Sequence, residues 1–306
     1  MRMTEGLRSF DGGVAIVTGA GSGIGAALAA ELALRGTEVV LADIDVTDAE
    51  TVAERIRSRG GRVSATQLDV TSAPAFDAVV AETVKRLGRL DYVFNNAGIG
   101  VGGPAADYTL DAWERILAVN LRGVIHGVQA AYPVMIRQGF GHVVNTASMA
   151  GLTTSPGMIG YATTKHAVVA LSQALRSEAA LHGVRVSVLC PGVIRTPLLQ
   201  GGKHGIFLGP LPVERQRQLF ADFFERFRPM PAPVFARKTL DRVARNRAIV
   251  IVPAWWRILW WLERASPAFT SFLARKGFER GGRLVLDERR GSAGSLSSAS
   301  TPHTRS

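Results

Sequence analysis

Tyr161 and Lys165 stand four residues apart in the stretch GYATTKHAVVALSQAL, Gly160–Leu175. On a helix that spacing puts both side chains on one face, one turn apart. An ammonium beside a phenol favours the phenolate and lowers a tyrosine pKa from about 10 towards the working range. Such a pair can take a proton from a substrate hydroxyl or return one. Many helices contain Y-x-x-x-K by chance, so the elements that would have to position it decide the matter.

The first of these is VTGAGSGIGAALAAEL, a strand running through a glycine-rich turn into a helix. Gly19, Gly21, Gly23 and Gly25, with Ser22 and Ile24 between them, let the chain turn sharply and bring backbone amides close to a pyrophosphate. The start of the helix adds a partial positive charge. The second strand ends in LADID, placing Asp43 18 residues after Gly25. A carboxylate there accepts hydrogen bonds from the adenosine ribose hydroxyls and repels a 2′-phosphate. No Lys or Arg stands in the glycine loop or beside Asp43 in the sequence, which favours NAD over NADP. The plainer reading is that Asp43 ends a strand while Asp45 or Asp48 caps the next helix.

Short apolar strands alternate with amphipathic helices along most of the chain. VAIVTGA, EVVLADI, RVSATQLDV, LDYVFNNAG, GHVVNTAS and RVSVLCPG read as strands, with helices expected over about 24–35, 48–59, 73–87, 110–138 and from Tyr161. AIVIVP supplies a seventh strand. This pattern predicts an α/β fold: a doubly wound (Rossmann) parallel seven-stranded sheet with helices on both faces, plus a C-terminal helical extension. Ligands of such sheets sit at the carboxyl ends of the strands. The expected organisation is an N-terminal arm over 1–11 and a dinucleotide-binding domain over 12–253, with a substrate cover at about 196–232. A Trp/Arg-rich helical extension follows over 254–290, and then a low-complexity, disordered tail over 291–306.

Taken in order, Thr18-Gly19-x-x-x-Gly23-x-Gly25, Asn95-Asn96-Ala97-Gly98, Asn120, Ser148, Tyr161-x-x-x-Lys165 and Pro191-Gly192 resemble the motif set of the short-chain dehydrogenase/reductase family. The resemblance is close over about 12–196 and looser to about 253. It implies Tyr161 as general acid/base, and Ser148 as the hydrogen-bond partner of the substrate oxygen. It implies Lys165 as the group that lowers the tyrosine pKa and holds the nicotinamide ribose, and Asn120 as the holder of a water linking Lys165 to solvent. For the cofactor it implies the glycine loop, Asp43, Asp69 and Val70 near the adenine, and Asn95, Ala97 and Gly98 along the adenosine side. Tyr161, Lys165, Pro191, Gly192, Val193, Ile194 and Thr196 would lie near the nicotinamide. The implied reaction is NAD-dependent hydride transfer between an alcohol and a ketone. A homo-oligomer, dimer or tetramer, is implied through the helices around 110–138 and 161–181. The alternatives are an NADP-dependent carbonyl reductase and a dinucleotide-binding protein without turnover.

Composition narrows the field. The chain has 306 residues and is 47% hydrophobic, enough for a packed core. Its single cysteine, Cys190, ends an apolar run and excludes an internal disulfide framework. The six histidines are scattered with no metal-ligand spacing, so no metal is expected. The N-terminal MRMTEGLRSFDGG holds no apolar signal core, and no apolar run reaches a membrane span, so a cytoplasmic protein is expected.

Net charge is +11, and residues 237–290 carry 13 Lys/Arg against 5 Asp/Glu, a net of +8. No nucleic-acid module accompanies that excess, so nucleic acid is not an expected partner. Between 196 and 232, Leu198, Leu199, Ile206, Phe207, Leu208, Leu211, Phe220, Phe223 and Phe224 suggest the apolar wall of a pocket for a lipophilic alcohol or ketone. Lys203 and His204 are the polar candidates there. In the extension, Trp255, Ile258, Leu259 and Leu262 fall at i, i+3, i+4 and i+7, widened by Trp256 and Trp260. Arg257, Trp261 and Arg264 form another face. Such a helix can pack on its own protein, contact a subunit, or lie on a membrane surface through about 254–275.

Overall fold

The computed structural model describes residues 10–200 and 202–279. The expected N-terminal arm (apart from its last two residues) and the expected disordered tail therefore lie outside the described residues, as does the end of the extension beyond 279.

Seven parallel strands form the centre: β1 (Val14–Thr18), β2 (Glu38–Asp43), β3 (Val63–Gln67), β4 (Tyr92–Asn95), β5 (Gly141–Thr146), β6 (Val184–Pro191) and β7 (Ile249–Val252). Their order across the sheet is β7-β6-β5-β4-β1-β2-β3. The strand order reverses between β1 and β4, which opens a crevice at their carboxyl ends. β1, β4 and β5 are buried along their whole length, as strands covered on both faces must be.

The connecting helices are α1 (Gly23–Leu34), α2 (Val46–Arg57), α3 (Ala73–Leu87), α4 (Leu110–Leu117), α5 (Gly123–Gln138), α6 (Ile159–Ala179), α7 (Val213–Glu225), α8 (Ala232–Ala244) and α9 (Trp256–Ala265). A further helix covers 267–279. One core cluster packs α1, α2 and α8 on one face of the sheet through Leu28, Leu32, Val52, Phe235 and Leu240. A second packs α3 and α5 on the other through Phe76, Val80, Val128 and Met135. These buried apolar faces give the doubly wound fold most of its driving force.

The single long helix expected over 110–138 is interrupted. Residues Ala118–Arg122 form one π-helical turn between α4 and α5. An inserted π turn shifts the side-chain phase of the helix and frees it to aim a polar residue inward. Here that residue is Asn120, fully buried at 0% exposure.

Two short parallel ladders tie the cover to the end of the sheet. Val101–Gly102 pairs with Ile206–Phe207, and Ile194–Arg195 with Met230–Pro231.

Candidate active site

The glycine turn leaves β1 and enters α1 with no side-chain cap and no acidic residue in the first turn of the helix. The amides in the first turn of α1 are thus open to an anion. Gly19 has φ +64, and a β-carbon there would stand 2.8 Å from the Cα of Ala97. A β-carbon at Gly25 would collide with the carbonyl oxygen of Gly19. Both positions need glycine for close approach of turn, helix and neighbouring strand. Thr18 braces the same corner, its Oγ1 accepting from the amides of Asn96 and Ala97 at 3.0 Å each.

Asp43, at the end of β2, accepts a 2.8 Å hydrogen bond from the Gly21 amide through Oδ2, and a 3.1 Å bond from the Asp45 amide through Oδ1. Asp45, not Asp43, caps α2, accepting from the amides of Thr47 and Asp48. The carboxylate of Asp43 is therefore left to the glycine loop at the carboxyl end of β2.

Tyr161 and Lys165 lie on the first two turns of α6, with the Lys165 Nζ 5.5 Å from the centroid of the Tyr161 ring. Burial raises the Tyr161 pKa, and a hydrogen bond with the Ser148 hydroxyl draws it part of the way back. Burial is the larger of these two effects, so the net direction at Tyr161 is upward. Lys165 is itself 3% exposed, and its pKa is brought down to about 8 by burial. Its ammonium donates to the Thr146 carbonyl at 2.9 Å. Ser148 also accepts from the Ala150 amide at 3.1 Å, which fixes its rotamer at the end of β5.

Asn120 locks the neighbouring segment. Its Oδ1 accepts from the Ile99 amide at 2.8 Å and its Nδ2 donates to the Ile99 carbonyl at 2.9 Å. A β-carbon at Gly98 would stand 3.2 Å from that Oδ1 and 3.6 Å from the Lys165 Nζ. Asn120, Gly98, Lys165, Ser148 and Tyr161 thus converge at one end of the crevice.

Other candidates are distributed along it. Thr196 closes over Gly23, its Cβ 3.2 Å from where a β-carbon would stand. Pro191, Val193 and Ile194 are buried beneath, and Gly192 lies under the indole of Trp256. Asp69 is exposed beyond the end of β3, holding the Thr71 amide at 2.9 Å through Oδ1. Val70 packs its side chain against Gly123 on α5, and its carbonyl oxygen lies 2.8 Å from the His126 Nδ1. Ser22 is exposed, while Ile24 is half-buried.

The side chain of Asn95 is not brought to the crevice. It is 2% exposed, turned under the sheet towards Gly127 of α5, and it donates to the Asn145 Oδ1 at 2.9 Å. Asn145 donates in turn to the Ser172 Oγ at 2.9 Å on α6. Successive strand residues point to opposite faces, so the crevice side belongs to Asn96, whose Nδ2 donates to the Thr18 carbonyl at 3.0 Å.

Lys203 is also displaced from its expected place. Its ammonium sits 3.0 Å from the Asp45 Oδ2 and is ion-paired with Asp48. The cover therefore reaches the start of α2, and its lysine is engaged there. This contact spans more than 150 residues of sequence, and nothing local announces it. His204 is exposed. The apolar part of the cover does meet the site: Ile206 and Leu208 join Tyr161 in packing on Ile99, Val101 and Ile116. No cluster of His, Cys and carboxylates able to hold a metal occurs among the described residues.

The family model for short chain dehydrogenases matches residues 13–205. The chain belongs to the short-chain dehydrogenase/reductase family. Its members are oxidoreductases that bind a nicotinamide dinucleotide. The protein of Mycobacterium tuberculosis named as an oxidoreductase, SadH, is 35% identical over 249 residues, covering 80% of this chain and 88% of that one. A cyclohexanol dehydrogenase of Acinetobacter sp. is 37% identical over 191 residues, covering 62% and 76%. The crystal structure of a short chain dehydrogenase/reductase from Burkholderia phymatum in complex with NAD superposes with a TM-score of 0.79 at 30% identity, over 85% of this chain and 96% of that one.

Proposed function

We propose that this family member is an NAD-dependent oxidoreductase that interconverts a lipophilic secondary alcohol and its ketone, with Tyr161 as the general acid/base. The observation that carries the cofactor reading is the Asp43 carboxylate, held on the Gly21 amide at the end of β2. A 2′-phosphate would meet a negative charge there, whereas a ribose diol would find an acceptor. The uncapped start of α1 suits the pyrophosphate, and Lys165 and Thr196 would hold the nicotinamide end. When bound, the nicotinamide supplies or accepts the hydride.

The rest of the chemistry belongs to the chain. In the oxidative direction Tyr161 takes the hydroxyl proton of the alcohol, and in the reductive direction it returns one to the ketone oxygen. Ser148, beside Tyr161, shares that oxygen and orients it. Lys165 supplies a buried positive charge that stabilises the phenolate once it forms. Asn120 fixes Ile99 and Gly98 beside both. The apolar surroundings of Tyr161, from Ile99 and Val101 to Ile206 and Leu208, favour a substrate without charge. A relative named for cyclohexanol, a cyclic secondary alcohol, points the same way.

Fluorescence titration with NADH and NADPH tests the cofactor reading. NADH should bind more tightly, and Asp43→Ala should weaken NADH by about ten-fold, the scale of one charge-assisted hydrogen bond. Preference for NADPH would replace this reading with an NADP-dependent carbonyl reductase. Tight NADH binding with no turnover on any alcohol or ketone would leave a dinucleotide-binding protein without catalysis.

A further inference from the structure

Fifteen large apolar side chains are exposed among the described residues, and eight of them fall within 255–278. Successive helical residues step about 100° around the axis. On α9 this sets Trp256, Leu259 and Trp260 on one side, with Trp256 and Trp260 packed on the core. Trp255, Ile258, Trp261 and Leu262 occupy the other side, with Ile258 at 64% and Trp261 at 58% exposure. The i, i+3, i+4, i+7 stripe read from the sequence is thus largely the outward face, and the tryptophans flanking it make the internal contact. Arg257 and Arg264 lie along the edge next to Trp261, and Arg264 stacks over the Trp260 ring at 5.6 Å. On the helix over 267–279, Phe269, Phe272 and Leu273 form a second exposed stripe with Lys276 in its middle. Arg275 and Lys276 lie over the Phe272 ring.

The acidic side chains of these helices do not oppose an anionic partner. Glu263 is turned back to accept from the Thr154 hydroxyl at 3.0 Å, and Glu279 is paired with Arg275 and Lys276. Within 254–279 four Lys/Arg stand against these two glutamates, a net of +2. No helix among the described residues is long and apolar enough to cross a membrane. An apolar face of aromatic and aliphatic side chains, edged by cations and too short to span, matches a helix pair lying in a lipid headgroup region.

We propose that α9 and the helix over 267–279 dock the protein on an anionic phospholipid surface, with their exposed aromatic and aliphatic face in the headgroup region and Arg257 and Arg264 on the lipid phosphates. The same helices touch the substrate side of the crevice. Glu263 holds Thr154, and a β-carbon at Gly157 would stand 3.1 Å from the Phe278 ring, both on the loop leading to Tyr161. A docked molecule therefore presents the mouth of its site beside the bilayer, where a lipophilic alcohol would be concentrated. The docking itself does not depend on the substrate reading.

The test is vesicle flotation of the full chain, with tryptophan emission as a second readout. Flotation should occur with vesicles of mixed phosphatidylcholine and phosphatidylglycerol, with a blue shift of emission, and should be weak with phosphatidylcholine alone. The double variant Ile258→Ser/Trp261→Ser should lower partitioning by about ten-fold while keeping its melting temperature, because both side chains are solvent-exposed. Arg257→Gln/Arg264→Gln should remove most of the preference for anionic vesicles and most of the salt sensitivity. Absence of flotation with both lipid compositions overturns the proposal, as does unchanged flotation of the serine variant. A concentration-dependent dimer that the serine variant splits, without vesicle binding, overturns it in favour of a second copy of this chain.

Discussion

Replacing Lys165 with methionine should stabilise the protein while abolishing its activity. The ammonium of Lys165 is 3% exposed, and burial lowers its pKa from 10.5 to about 8. Every ten-fold weakening of proton binding corresponds to about 1.4 kcal/mol, so holding this charge inside costs about 3 kcal/mol near neutral pH. Methionine is similar in volume and carries no charge. Its substitution also removes the bond to the Thr146 carbonyl, a loss of about 1 kcal/mol. The net expectation is a gain of about 2 kcal/mol, or a rise of roughly 4–8 °C in Tm for a domain of this size.

The pH dependence isolates the charge from the packing. Between about pH 8 and 10.5 the unfolded chain binds a proton at Lys165 that the folded chain does not. Wild-type stability therefore gains from this group as pH rises through that window, and the burial penalty is fully present below it. The advantage of Lys165→Met should shrink by about 2 kcal/mol between about pH 7.5 and pH 10. Denaturant unfolding of both proteins across that range reads the difference directly. A variant less stable than wild type at neutral pH with a flat difference curve would refute the reasoning, because the buried ammonium would then carry no penalty.

Two further predictions concern the supports of the site. Asn145→Ala breaks the buried chain from Asn95 through Asn145 to Ser172, leaves the Asn95 side chain without a partner while Ser172 keeps its bond to the Val168 carbonyl, and should cost about 2 kcal/mol in urea unfolding. Lys203→Met should leave Tm nearly unchanged, because the ion pairs with Asp45 and Asp48 are exposed. It should nevertheless speed NADH dissociation measured by stopped flow, since those pairs fasten the cover across the adenosine end. An unchanged dissociation rate would mean the clasp plays no part in retaining the cofactor.

What could be read from the sequence was local in origin. The glycine turn between β1 and α1, Asp43 at the end of β2 and the four-residue spacing of Tyr161 and Lys165 each depend on neighbours within one turn or one strand. The seven strands were legible because parallel strands buried on both faces are continuous apolar runs. Contacts between distant segments were not legible. Lys203 meets Asp45 and Asp48 only once the cover folds over the crevice.

The face to which Asn95 points depends on where its strand ends relative to the neighbouring asparagine, and consecutive asparagines look alike in a sequence. The π turn that aims Asn120 inward leaves no mark on the 3.6-residue pattern of α4 and α5. The Tyr161 pKa depends on burial and on the distance of an ammonium, neither of which the spacing sets. In α9, apolar residues occur all round the helix, so periodicity alone could not say whether Trp256 and Trp260 or Trp255, Ile258 and Leu262 would pack inside.

In the proposed reaction Tyr161 passes the proton while hydride moves between a secondary alcohol and NAD. The most direct measurement is the initial rate of NAD reduction with cyclohexanol and larger cyclic secondary alcohols, for wild type and Tyr161→Phe, alongside NADH affinity for both. Wild type should turn over, and Tyr161→Phe should lose about a thousand-fold or more in rate with NADH affinity nearly unchanged. Turnover by the phenylalanine variant at close to the wild-type rate would contradict it.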